Sequence, residues 1–168
     1  YILIRFNKWQ YSLGAVLAVF HDALVILSVF SLFRGLLPFS MEVDQTFIAA
    51  ILTVIGYSIN DTVVIFDRIR ENFGLYTGKS KAEIINMSIN STFSRTIITA
   101  LTVFFVVAAL LLFGGASIKG FAFALLIGLI SGSYSTIFIA APVLVDLSGD
   151  IKSKDTVTHS FKRTADIK

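Results

Sequence analysis

The chain has 168 residues, 14 Lys+Arg against 11 Asp+Glu, no Cys, and 55% hydrophobic residues with a mean hydropathy of +0.82. Only 15% of residues are charged, where a soluble domain carries about 25%, so a disordered chain is excluded and a soluble globular domain nearly so. The absence of Cys excludes a disulfide framework, a thiolate nucleophile and a Cys metal site.

The sequence begins at Tyr1, not Met. Residues 1–6 (YILIRF) are too short to cross a bilayer and lack the flanks of a signal peptide. They read as the end of a preceding span, and the chain as a fragment of a longer protein. Crossing a ~30 Å hydrocarbon core takes roughly 20 apolar residues as helix. Four stretches qualify: about 12–33, 46–67, 95–113 and 118–147. Backbone groups in lipid must be satisfied internally, so these are helices and the fold class is an all-α, polytopic membrane bundle. Pro142 predicts a kink or an end in the last span.

Charge alternates between the connections. Twelve of the 14 basic residues fall before the first span, in the 68–94 loop with Arg95, or in the tail; the other side has only Arg34 and Lys119. The positive-inside rule then places residue 1, the 68–94 loop and the C-terminus in the cytoplasm. Trp9 and Tyr11 sit where interfacial anchors belong. Within the loop, Ser80-Lys81-Ala82-Glu83 is a capping-box signature, followed by Ile85, Ile89 and Phe93 at helical spacing. This predicts a short interfacial helix over 80–93 on the cytoplasmic side; the bland alternative is continuation into the third span. The tail, 148–168, is polar and without periodicity and is expected to be mobile.

Several motifs carry little. Gly74 to Ser80 resembles a phosphate loop but is one residue short between its glycines, and no strand precedes it. His21 and His159 stand alone, without the spacing of a metal site. No nucleic-acid signature and no catalytic group stand out, so neither an enzyme nor a cofactor is expected. In the last span Gly120, Ala124, Gly128, Gly132, Thr136 and Ala140 recur every four residues, flanked by Ser131 and Ser135. Such a stripe reads first as a close-packing face, and second as a seam that allows sliding.

Ionisable residues inside the spans point to function. Asp22, beside His21, lies mid-way along the first span; Asp61 lies in the second, within Gly56-Tyr57-Ser58-Ile59-Asn60-Asp61-Thr62; Arg95 opens the third. A charge at membrane depth costs at least ~2.5–3.5 kcal/mol, so it persists with a partner or a task. The bland alternative is a structural ion pair. At ~1.5 Å per residue, Asp22, Asp61 and Arg95 lie about 17, 21 and 27 Å from the outer ends of their helices. Tyr57 and Ser58 sit one turn from Asp61, and Thr92, Thr96, Thr99 and Thr102 give the third span a polar face. A polar layer is therefore predicted, with Asp61 and Arg95 in direct or one-water contact.

The stretch Val54–Asn72 (VIGYSINDTVVIFDRIREN), with His21-Asp22, Ser94-Arg95-Thr96, Phe113-Gly-Gly and Lys119-Gly-Phe, resembles the SecD/SecF family of bacterial protein-export membrane proteins, on its SecF side, over about 1–147. That family belongs with the RND transporters, whose two six-helix halves are related by pseudo-symmetry. The resemblance implies the following expectations. The chain is the last four spans, and the end of the one before, of the SecF half; a SecD half is its partner, fused or separate. SecYEG, with YidC and YajC, and exported preproteins gripped by domains outside this sequence are further partners. The setting is the bacterial inner membrane, and a proton-motive force (or a Na⁺ gradient) drives the late steps of export. Asp61 and Arg95 fall on the family's intramembrane charged pair, and Asp22 on a motif position. A membrane potential supplies ~2.3 kcal/mol per charge per 100 mV, enough to shift a two-state element roughly fifty-fold. The competing readings are a small-molecule exporter of the same superfamily and a passive translocon scaffold.

Overall fold

The computed structural model describes residues 1–76 and 78–147. The order is α1 (Ile2–Phe6), α2 (Trp9–Phe33), α3 (Gln45–Leu75), α4 (Lys81–Phe113), α5 (Ala116–Ser135), a π turn (Thr136–Ala140) and α6 (Ala141–Leu147). The last three run on as one span, Ala116–Leu147, and with α2, α3 and α4 make four helices long and apolar enough to cross a membrane. α2 alone, at 25 residues, is about 37 Å long.

Local chemistry sets the ends. Asn7 adopts a left-handed φ of 54° and stops α1. Asp44 caps α3 by accepting from the Phe47 amide at 2.8 Å. Ser80 and Glu83 form the expected capping box on α4.

The structure revises three expectations. The segment 80–93 is not a separate interfacial helix: it is the first third of the 33-residue α4, which has no Gly or Pro to interrupt it. Ile84 and Ile85 are buried, Ile89 is partly buried and Phe93 stays exposed, while Asn72 on α3 donates to Ser88 at 2.8 Å. Pro142 does not end the last span. The π turn just before it shifts the bonding register, so that the Ala141 amide reaches back five residues to the Thr136 carbonyl. Tyr11 is not an interfacial anchor but buried, stacked on Phe6 with ring centroids 4.9 Å apart and edge-on to Phe66; only Trp9 is exposed. The expected tail at 148–168 lies outside the described residues.

The apolar interior has two parts. One gathers Phe6, Tyr11, Ala18, Phe66, Ile69 and Leu144 at the end where the chain starts. The other gathers Ile26, Phe30, Phe47, Ala50, Val54 and Ala124 at the far end. On α2, α3 and the last span, a set of buried polar residues lies between these clusters: Asp22; Ser58, Asp61 and Thr62; Ser131, Ser135 and Thr136.

The small-residue stripe is a packing face. Ala124, Gly128, Gly132, Thr136 and Ala140 are buried, and Gly120 is half-buried. A Cβ on Gly128 would collide with both methyls of Val54, and one on Gly132 would meet the Ser58 Cβ at 3.2 Å. A Cβ on Gly120 would come 2.8 Å from the Ser40 carbonyl oxygen. Close backbone approach of this kind is what holds helices together where lipid offers no hydrophobic drive.

Candidate functional site

The polar layer has two carboxylates with contrasting surroundings. Asp22 is completely buried. Ser131 Oγ donates to its Oδ1 at 2.7 Å, while Ser58 Oγ (2.7 Å) and Ser135 Oγ (2.9 Å) donate to Oδ2. The half-exposed His21 ring lies against Oδ1, with Nδ1 at 3.3 Å. One carboxylate thus gathers hydroxyls from two other helices. Beside it, Thr62 and Thr136 hydroxyls meet at 3.0 Å, tying α3 to the π turn.

Asp61 faces the other way, towards α4. Thr96 Oγ1 donates to its Oδ1 at 3.0 Å. Its Oδ2 is buried and accepts no hydrogen bond. A buried acceptor left in this state is costly, which marks Asp61 as the less settled of the two groups.

The predicted direct Asp61–Arg95 pair is not formed. Ion pairs join Arg5 to Asp67, His21 to Asp22 and Arg68 to Glu71, and none of these involves Arg95 or Asp61. Arg95 is exposed, on a different stripe of α4 from its neighbour Thr96, and acts on Asp61 electrostatically without a bond. The reason is helical phase: Thr96 points at α3, and the preceding residue is rotated by about 100°. Asn60 is exposed for the same reason, one residue from Asp61. Tyr57 is half-buried and lines a small apolar cleft with Thr53, Val54, Val103, Val107 and Leu125. Of the expected site residues, then, Asp22 and Ser58 meet directly; Asp61 is adjacent, and Arg95, Asn60 and Tyr57 lie at its margin.

Ser131 and Ser135 were legible only as flanks of the stripe. Their spacing of four residues puts both on one helix face, which could have marked them as a pair of donors awaiting an acceptor. Thr96 stood out only as one of four threonines.

Fold and layer together define a multi-pass helical membrane domain that holds ionisable groups between its spans. The chain belongs to the SecD/SecF C-terminal family: the family model "Protein export membrane protein SecD/SecF, C-terminal" matches residues 1–150. It is 57% identical over 147 residues to the protein translocase subunit SecF of Rhodothermus marinus, covering 88% of this chain and 47% of that one. It is 47% identical over 156 residues to the fused SecDF of Brucella abortus, covering 93% of this chain and 19% of that one. Among solved structures it is similar to SecDF from Thermus thermophilus, a translocon-associated membrane protein, with a TM-score of 0.78, 40% identity, and coverage of 88% and 20%. SecDF in a super-membrane-facing form gives a TM-score of 0.79 at 38% identity, covering 94% of this chain and 20% of that one. The chain spans about half the length of the curated SecF relatives it matches.

Proposed function

We propose that this domain is the ion-responsive membrane part of a protein-export subunit, coupling the proton-motive force to late steps of translocation. The observation that carries the reading is Asp61, whose Oδ2 is buried without a donor while Oδ1 is held by Thr96. Such a carboxylate has two ways to settle. It can take up a proton, or it can draw a cationic donor onto the open oxygen, and Arg95 on the facing helix is the donor within reach by a side-chain swing. Exchange between these states moves α3 against α4. Nothing in the reading assigns bond-making chemistry or a cofactor to the chain; the gradient of H⁺, or of Na⁺, is the energy source.

The relatives' description as protein translocase subunits supports export over small-molecule efflux. In this reading a SecD half completes the transmembrane domain, SecYEG with YidC and YajC forms the wider assembly, and preproteins are gripped outside this region. The setting is the inner membrane, with the α3–α4 connection cytoplasmic. The test is release of an exported precursor from energised vesicles, with and without an uncoupler. Asp61→Asn, nearly isosteric, is expected to assemble but to show no uncoupler-sensitive stimulation. Full stimulation in Asp61→Asn would overturn the reading in favour of a passive scaffold.

A further inference from the structure

The two buried carboxylates do not have the same task. We propose that Asp22 is a latch, a positioning residue that sets the rotation of α3 and so aims Asp61 at α4. The proposal rests on the reading of Asp61 given above.

Both oxygens of Asp22 accept from hydroxyls, Ser131 on Oδ1 and Ser58 with Ser135 on Oδ2, and the His21 ring nitrogen Nδ1 lies 3.3 Å from Oδ1. Ser58 and Ser131 have no other hydrogen-bond acceptor among the described residues. The carboxylate oxygens accept from all three hydroxyls at once, so α2 is tied to α3 and to the last span at one point. Ser135 alone has a second acceptor, the Gly132 carbonyl at 3.2 Å.

Ser58 is fixed by Asp22, and Thr62, one turn on, by Thr136. These two positions lie on one face of α3. Asp61 is offset from them by about 60° and 100° around the helix. Pinning that face to α2 and the last span therefore directs Asp61 sideways, to Thr96. Gly132 permits the arrangement, since a Cβ there would sit 3.2 Å from the Ser58 Cβ and 3.7 Å from Asp22 Oδ2.

The experiment is infrared difference spectroscopy between acid and alkaline pH on the full-length protein in membranes, read at the carbonyl stretch of protonated carboxyls. Asp61→Asn should remove a band. Asp22→Asn should shift the frequency of the Asp61 band, because Thr96 no longer meets it in the same geometry. Export stimulation by Asp22→Asn should fall at least about tenfold, the worth of one hydrogen bond to a charged acceptor. Should Asp22→Asn fail to assemble, Ser58→Ala keeps the carboxylate and should give the same band shift. An unshifted Asp61 band in both variants would overturn the positioning role. If instead Asp61→Asn removes no band, the reading of Asp61 fails, and export by Asp22→Asn and Ser58→Ala still decides whether the latch is needed.

Discussion

The contact between Gly128 and Val54 offers the most direct test of how α3 and α5 are held. Gly128 is buried, and a Cβ built on it falls against both Val54 methyls and 2.9 Å from the Val54 Cβ. Val54 is itself only 3% exposed, inside the far apolar cluster, so its side chain has little room to retreat. Gly128→Ala therefore forces the helices apart or drives Val54 off its rotamer, a cost of about 1–3 kcal/mol. Helix propensity runs the opposite way, favouring Ala by up to about 1 kcal/mol, so the net change is smaller than the clash. Val54→Ala removes the two colliding methyls and leaves only the Cβ contact. Alone it should destabilise by about 2 kcal/mol through lost packing. The pair should therefore be markedly less destabilised than the sum of the singles, with a coupling of at least about 1 kcal/mol. The measurement is a double-mutant cycle by reversible denaturant unfolding in mixed micelles. Additive single effects, or a Gly128→Ala protein more stable than the parent, would refute the claim that backbone approach at this point holds the bundle.

Thr96→Val keeps the shape of the side chain but removes the one donor to Asp61. Uncoupler-sensitive export should fall by about tenfold or more, while Thr99→Val, whose hydroxyl bonds only its own helix at the Arg95 carbonyl, should change it little. Ser80→Ala breaks the capping box of α4 and should cost about 1 kcal/mol, visible as faster proteolysis in the α3–α4 connection without loss of the transmembrane bundle. A single Cys at Lys79, in a chain with no native Cys, should resist an impermeant thiol reagent applied to the outside of intact cells and react once the membrane is opened.

Composition and run length were enough for the class of fold, because lipid leaves the backbone so few choices. Long apolar runs must be helices, and their number and order follow from length alone, whereas α3 and α4 extend beyond the apolar runs, to Leu75 and back to Lys81. Run length also set how far along their helices Asp22, Asp61 and Arg95 lie, since rise per residue is constant along a helix. The stripe from Gly120 to Ala140 was legible as a packing face for the same reason, its spacing being fixed by helical periodicity. What periodicity along one helix cannot carry is the rotation of that helix against its neighbours. That Asp22 faces Ser58, Ser131 and Ser135 while Asp61 faces Thr96 emerges only from the packed bundle. So does the finding that Arg95 is exposed and forms no ion pair with the carboxylate it was expected to meet. The same holds for the 80–93 segment: its apolar stripe suits a membrane surface or a helix partner equally well, and Asn72 with the Ile65–Ile69 turn of α3 supplied the partner. Depth is a one-dimensional property that each helix carries on its own, whereas pairing depends on the phase of two helices at once, and that phase is set by packing.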